Sequence, residues 1–198
     1  MDKIYVNGDS FSEGEVYLDS PVQCWPYQLI GSGFKVINDS LGGASNYRIF
    51  RTSVETISQN YNTIFCAIFS WTDWTRWEVP GELGYERQYL STVTESVLIE
   101  NFVNQIVTIE NFCRATGVTY WHMNSFSSPD ISCISNAVDR QRISKKLDRL
   151  DSRQWLIPFN SNIREWAQQN ELEFATDGHL SATSNQALAD FIKTKIFQ

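Results

Sequence analysis

Short apolar segments separated by polar turns run along much of the chain. The first, Ile4 to Val6, leads directly into Asn7-Gly8-Asp9-Ser10, which is typical of a strand that ends in a turn. Three more segments have the same character, and they cover Phe34 to Ile37, Thr63 to Phe69 and Val118 to Trp121. The pattern therefore predicts four β-strands.

Helical patterns lie between and after these strands. Ser45 to Gln59 follows a capping signal, and Thr94 to Thr116 carries apolar residues at helical spacing with Gly117 as its stop signal. Leu188 to Ile196 has the same spacing near the C-terminus. The charged segment Asp130 to Trp155 predicts one or two surface helices whose basic face is solvated.

The alternation of strands and helices predicts the fold class. Ile64 to Phe69 is apolar at every position, which is typical of a central parallel strand covered on both faces. We therefore predict an α/β protein, a flavodoxin-like three-layer α/β/α sandwich with a central parallel sheet, in a single domain over residues 1–198. Ligands bind such sheets beyond the carboxyl ends of the strands. The segments that follow strands are Gly8 to Gly14, Ser40 to Asn46, Ser70 to Glu78 and His122 to Ser128.

The charge balance argues against nucleic acid as a partner. The 198 residues carry 16 Lys and Arg against 23 Asp and Glu, a formal net charge of -7, which repels a phosphate backbone. The run Ile64 to Phe69 is far shorter than the roughly 20 residues of a membrane helix, and Met1 to Asn7 lacks the apolar core of a signal peptide. We expect no membrane partner and a cytoplasmic location, with a phage-associated or non-Sec route left open and no particular oligomeric state indicated.

The cysteines indicate thiols in a reducing compartment. Cys24, Cys66, Cys113 and Cys133 form no C-x-x-C pair, and this usage favours reduced thiols over a disulfide framework or a zinc site. No His, Cys and Asp residues have the spacing of metal ligands. The sequence therefore predicts neither a metal nor an organic cofactor.

Ser10 stands where a nucleophile would be placed, directly after the first strand and at a turn. A serine hydroxyl is a weak nucleophile unless a base takes its proton, and the chain has two histidines, His122 and His179. Asp177 lies two residues before His179, close enough to orient the imidazole as the acid of a triad does. An ordinary turn at each of these places is the alternative.

Three motifs, in this order along the chain, resemble the SGNH/GDSL-type serine hydrolase family. Gly8-Asp9-Ser10-Phe11-Ser12-Glu13-Gly14 resembles the block around the family's nucleophile. Ser40-Leu41-Gly42-Gly43-Ala44-Ser45-Asn46 resembles the second block, and Asp177-Gly178-His179 resembles the last. The three motifs span most of the chain, although only about twenty residues match in detail.

This resemblance implies the SGNH-hydrolase fold and a set of roles. Ser10 would be the nucleophile, His179 the base and Asp177 the acid of a Ser-His-Asp triad. The backbone N–H groups of Ser10 and Gly43 would receive the oxyanion.

The chain departs from the family pattern in two places. The third family block usually reads Gly-x-Asn-Asp, and the equivalent residues here are Ser70-Trp71-Thr72-Asp73. Thr72 thus replaces the asparagine whose side chain donates to the oxyanion, and Thr72 or Asn46 is the candidate for that donor. The family's last aspartate usually precedes the histidine by three positions, whereas Asp177 precedes His179 by two. A different loop path could accommodate this, or a backbone carbonyl could hold His179 instead.

The segment Trp71 to Glu78 is unusual because it contains three tryptophans. Such rings at a sheet edge would form a sugar-stacking or acyl-binding wall, or they cap the core under a long loop, and both interpretations stay open. Trp71, Asp73 and Arg76 are the candidate substrate-binding residues of this segment. We interpret His122 as structural or substrate-lining, because no acid stands near it in sequence.

These observations together predict a serine esterase that hydrolyses small acyl esters. A carbohydrate O-deacetylase is the favoured case, with a small-molecule or carbohydrate ester as its partner. One alternative is a lysophospholipase or thioesterase, which would need a longer acyl channel. The other is a catalytically weak or silent carbohydrate-binding module on the same scaffold, which the departures at Thr72 and Asp177 motivate.

Overall fold

A computed structural model describes residues 2–14, 18–30, 33–81, 84–89 and 93–197 of the chain. Its strands are β1 (Lys3–Asn7), β2 (Lys35–Asn38), β3 (Ile64–Trp71), β4 (Arg76–Gly81), β5 (Gly84–Tyr89) and β6 (Thr119–Asn124). Its helices are α1 (Ser10–Glu13), α2 (Trp25–Gln28), α3 (Asn46–Asn60), α4 (Glu95–Thr116), α5 (Ala137–Leu147), α6 (Ile163–Gln169) and α7 (Ala182–Ile196).

Within the described residues, β2, β1, β3 and β6 form one parallel sheet in that order. β3 pairs with β1 on one side and with β6 on the other. Because parallel neighbours need crossover connections, the carboxyl ends of all these strands meet at a single edge. The strands end there at Asn7, Asn38, Trp71 and Asn124. The predicted central parallel sheet is confirmed.

Side chains alternate between the two faces of the sheet and build a core on each. On one face, Ile4, Val6 and Ile68 pack with residues of α2, α6 and α7. On the other face, Tyr5 and Phe69 pack with residues of α3 and α4. β3 is therefore covered on both sides, which explains the uniformly apolar sequence from Ile64 to Phe69. The predicted three-layer α/β/α sandwich is confirmed.

Part of the segment interpreted as a long loop is a strand. Arg76–Gly81 forms β4, which pairs antiparallel with β5 in a sheet separate from the central one. This hairpin packs against α3. The alternation of polar and apolar residues from Arg76 to Val79 is a short strand signal, which the interpretation as a loop overlooked.

Two cations of the basic face predicted for Asp130 to Trp155 lie on α5 and are paired with a carboxylate. Arg142 and Lys146 contact the two carboxylate oxygens of Glu100 on α4, at 2.7 and 2.6 Å. These pairs are half-exposed, and such surface pairs each contribute only about 0.2–1 kcal/mol. They orient α5 against α4.

Most of the cysteines lie inside the protein. Cys24, Cys66 and Cys113 are buried and Cys133 is exposed. Burial raises the pKa of the Cys66 thiol to about 12, so this thiol stays protonated and unreactive at neutral pH. None of the helices in the described ranges is both long and apolar enough to cross a membrane.

Candidate active site

Ser10 is the first residue of α1, directly beyond the carboxyl end of β1. Asp9 caps the helix, because its carboxylate accepts a hydrogen bond from the Phe11 amide at 3.1 Å. Gly8 makes the close approach to β3 possible, since a Cβ there would lie 2.8 Å from the Cβ of Ser70 and from the Oγ of Ser12. The turn from Gly8 to Ser10, called the nucleophile turn after the role predicted for Ser10, therefore holds the Ser10 hydroxyl at the edge where the strands end.

His179 reaches Ser10 from the other end of the chain. Its Nε2 lies 2.8 Å from Ser10 Oγ, across 169 positions of sequence. The imidazole packs against the ring of Phe11, with centroids 4.9 Å apart, and stands edge-to-face to Phe126 at 6.3 Å. Aromatic packing thus restricts the ring to the orientation in which Nε2 faces the hydroxyl.

Asp177 contacts the opposite side of the same imidazole. Its Oδ2 lies 3.1 Å from His179 Nδ1, while its Oδ1 accepts a hydrogen bond from the His179 amide at 3.1 Å. The left-handed φ of 85° at Gly178 closes this turn. Although partial burial acts to raise it, the amide and ring of His179 hold the pKa of Asp177 below its usual range. A tight turn therefore lets an aspartate only two positions before the histidine face its ring.

The loop after β2 is tied to the nucleophile turn. Leu41 donates its amide to the Gly8 carbonyl at 3.1 Å, and the Gly42 amide donates to the Glu13 carboxylate at 2.6 Å. A Cβ on Gly42 would lie 3.9 Å from the Cβ of Ser10. Gly43 follows with a φ of 73°, which favours glycine. The predicted oxyanion glycine thus belongs to a loop that lies alongside Ser10.

Thr72 and Asn46 are brought together, but both are committed to internal contacts. The Asn46 side chain makes two hydrogen bonds to the backbone of Thr72. Its Oδ1 accepts from the Thr72 N–H at 2.9 Å, and its Nδ2 donates to the Thr72 carbonyl at 3.1 Å. The Thr72 hydroxyl oxygen accepts a hydrogen bond from Arg76 at 2.7 Å. Thr72 is fully buried and Asn46 is 3% exposed. These side chains support the strand end rather than face a substrate.

Arg76 joins Thr72 to the nucleophile turn. Its Nη1 lies 3.6 Å from the carboxylate of Asp9, and its guanidinium carbon lies 4.7 Å from the centre of the Phe126 ring. Burial raises the pKa of Asp9, while hydrogen bonding from Thr72 and the charge of Arg76 oppose the rise. Arg76 is thus the positive group that compensates a buried carboxylate next to Ser10.

Asp73 stabilises the turn between β3 and β4. It accepts from the Thr75 amide at 2.8 Å and from the Ser127 hydroxyl at 2.9 Å. Ser127 follows β6, so this contact links the ends of two neighbouring strands. The carboxylate that the sequence offers as a substrate contact is therefore engaged in holding the site's loops together.

Trp71 is placed in the core, and its assignment to a binding wall is corrected. The residue is fully buried, and its Nε1 donates to Nδ1 of His122 at 3.0 Å. β3 extends to position 71, so the alternation of the strand directs this side chain into the core against α4, where its ring meets Phe102 edge-to-face. It caps the core beneath the site.

His122 is also internal, and it has an acidic partner that the sequence does not show. Its Nε2 lies 3.5 Å from Oε1 of Glu110 on α4, whose other oxygen contacts Arg114 at 2.8 Å. Burial lowers the pKa of His122, opposed by Glu110. Because Nδ1 accepts from Trp71, the neutral ring carries its proton on Nε2. The structural interpretation of His122 fits this environment.

Comparisons with known proteins give one clear result. No protein-family model matches the chain, and no curated protein matches its sequence. Solved structures do match. TesA aligns over 98% of each chain at 14% identity with a TM-score of 0.59. The psychrotrophic esterase EstA from Pseudoalteromonas sp. aligns over 100% of this chain and 97% of its own at 12% identity, TM-score 0.57.

The acetyl xylan esterase AlAXEase aligns over 97% of this chain and 98% of its own, at 12% identity with a TM-score of 0.56. Other similar structures are members of the lipolytic G-D-S-L family. The protein therefore has the fold of the SGNH/GDSL hydrolases, as the resemblance of its motifs predicts.

Proposed function

We propose that the protein is a serine ester hydrolase of the SGNH type that acts on small acyl esters, with an O-acetylated carbohydrate as the favoured substrate. The observation that carries the proposal is the 2.8 Å separation of His179 Nε2 and Ser10 Oγ at the carboxyl edge of the sheet. This is the distance at which an imidazole takes the proton of a serine hydroxyl.

The reaction follows from these positions. Ser10 Oγ attacks the ester carbonyl carbon while His179 Nε2 takes the hydroxyl proton, and Asp177 favours the resulting imidazolium. The carbonyl oxygen becomes an oxyanion and accepts hydrogen bonds from the Ser10 and Gly43 amides. His179 returns the proton to the leaving alkoxide. Water, deprotonated by the same histidine, then attacks the acyl group, which leaves as a carboxylic acid while His179 returns the proton to Ser10 Oγ.

The Ser10 amide suits the oxyanion role because of its place in the chain. The first amides of a helix have no carbonyl partner within the helix, and Ser10 opens α1. The side chains of Thr72 and Asn46 are engaged in internal hydrogen bonds. The oxyanion site would therefore have two backbone donors and would lack the side-chain amide of the family. Loss of one donor costs about a hundredfold to a thousandfold in kcat, and we expect slow turnover.

The carbohydrate preference is supported by one neighbour and by the position of a cavity that could otherwise hold a long acyl chain. AlAXEase, which shares the fold, is an acetyl xylan esterase. A cavity of about 470 Å³ that could suit a long acyl chain is lined by residues 147–160, among them Trp155 and Phe159. None of the triad residues lines it, so it offers no acyl channel to Ser10.

The experiment that tests the proposal compares p-nitrophenyl acetate hydrolysis by the unmodified protein, Ser10→Ala and Ser12→Ala. Ser12 is the matched control because it lies in the same helical turn but is fully buried. EstA, which shares the fold, has been solved inhibited by monoethylphosphonate, so we also expect a fluorophosphonate to add to Ser10. Turnover and the adduct should vanish only in Ser10→Ala. Absence of both from the unmodified protein would favour a silent binding module.

A further inference from the structure

A shallow groove lies between α3 and α4, beside β4. It has a volume of about 280 Å³, close to the lower end of the range for small-molecule sites, roughly 300 Å³. Its walls carry three aromatic and three carboxamide side chains. These are Tyr47, Phe50, Trp77, Asn101, Asn104 and Gln105. The groove thus has room for a group about the size of one ring.

The composition of these walls selects a class of ligand. The described lining has no carboxylate, ammonium or guanidinium group, so it offers no partner for a charged ligand. Aromatic rings give flat apolar contact, and carboxamides both donate and accept hydrogen bonds. A sugar ring has the matching features, since its C–H face is apolar and its hydroxyls both donate and accept.

A buried acceptor lies at the inner side of the groove. Gln105 Oε1 is inaccessible to solvent and has no hydrogen-bond partner among the described residues. Leaving such a group unsatisfied is costly, so a rotation of this partly exposed side chain that brings Oε1 to a ligand hydroxyl would be favourable. Gln105 also bounds a small void that Asn46 and Arg76 line. The groove therefore adjoins the residues that support the nucleophile turn.

We propose that this groove is a subsite for a neutral sugar unit of the acylated glycan whose ester reaches Ser10. The inference rests on the proposed function for its connection to catalysis. Arg76 links the two regions, because it lines the inner void and also lies 3.6 Å from Asp9, directly before Ser10. Trp77 would cover one face of the sugar and the carboxamides would meet its hydroxyls.

The test measures binding in the Ser10→Ala protein, so that it does not depend on turnover. Xylopentaose and cellopentaose are titrated by calorimetry and by NMR, with trigalacturonate as a charged probe and decanoate as an acyl probe. We expect the neutral sugars to bind with a Kd on the order of 1 mM and the other two not to bind. Trp77→Ala and Asn101→Leu should each weaken binding at least tenfold. Trp166→Ala is the matched control, because Trp166 is half-buried on α6, on the opposite face of the sheet.

Each outcome decides the question. The subsite is overturned if no neutral sugar binds at a concentration about tenfold above that Kd. It is also overturned if neither groove variant weakens the binding. Binding of decanoate at Trp77 would replace it with an acyl site. Circular dichroism checks that the variants fold, and Asn101→Leu keeps the test valid if Trp77→Ala does not. Esterase activity without sugar binding would disprove only the subsite. Sugar binding without esterase activity would disprove only the proposed hydrolase function.

Discussion

The guanidinium of Arg76 lies 3.6 Å from the carboxylate of Asp9, the residue directly before Ser10. Asp9 is fully buried and the Arg76 side chain is 14% exposed. A buried carboxylate without a partner is strongly unfavourable. The hairpin that carries Arg76 therefore stabilises the charge on which the nucleophile turn is built.

Arg76→Met should destabilise the protein by about 3–5 kcal/mol, because it leaves Asp9 buried and uncompensated. Urea unfolding measures this, and Asp9→Asn in the same background should restore most of the loss. Without Arg76 the pKa of Asp9 rises further, so the folded state binds a proton more readily than the unfolded state. Stability of the variant should therefore fall as pH rises from 4 towards neutrality. An equal deficit at pH 5 and pH 8 would argue against this account.

Thr72 should contribute to structure and not to the oxyanion site. Thr72→Ser keeps the acceptor for Arg76 and should lower kcat less than tenfold. Thr72→Val leaves the Arg76 N–H without that acceptor and should cost about 1–3 kcal/mol of stability. In an Arg76→Met background the part of this cost that comes from Arg76 should disappear, while the lost hydrogen bond from Thr72 to Asp9 remains. A hundredfold loss of kcat in Thr72→Val that persists in that background would show direct oxyanion donation.

Asp177→Asn should lower kcat by about tenfold to a hundredfold. The loss is smaller than the ~10⁴ seen for a buried triad acid, because the Asp177 side chain is 42% exposed and solvent can support the imidazolium. The lowered pKa of Asp177 means that its ionised form stabilises the fold above the unfolded pKa, about 3.9. That contribution disappears as pH falls through the folded pKa, so the variant should lose less stability below pH 4. Initial rates and acid unfolding curves measure the two effects.

His122 should make the fold sensitive to mild acid. Burial lowers the pKa of His122, even though Glu110 opposes the shift. Below about pH 6.5, His122 therefore binds a proton in the unfolded chain while it stays neutral in the folded protein. Stability should fall as pH drops from 6.5 to 5, and His122→Phe should flatten this slope.

Trp71→Phe removes the donor to His122 Nδ1 and should cost about 1–3 kcal/mol with little change in kcat. A large loss of kcat, measured where the variant is as fully folded as the unmodified protein, would show that Trp71 contributes to substrate binding.

Much of the scaffold could be predicted because its signals are local. The apolar segment of β3, the cap and spacing of α3 and the glycine after α4 each depend on neighbouring residues, and the observed elements follow them closely. The nucleophile and base could be proposed for a similar reason. Each lies in a short motif directly after a strand or before a helix.

The remaining features depend on contacts that no local pattern encodes. Trp71 became a core residue because β3 continues past Phe69 and alternation then directs the ring inward. The acid next to His122 lies one helix earlier, at Glu110, so it was invisible to a search near His122 in sequence. The role of Arg76 depends on the hairpin that places β4 beside α3, and no local pattern shows that placement.

The separation of Ser10 and His179 by 169 positions has a consequence for synthesis of the protein. A ribosome releases β1 and the nucleophile turn early, but the imidazole emerges only after the rest of the sheet has been made. No nascent chain that stops before Asp177 can place the His179 imidazole beside the Ser10 hydroxyl, however well its sheet has folded. The Ser10 hydroxyl therefore gains its His179 partner only in a chain that has been made at least as far as residue 179.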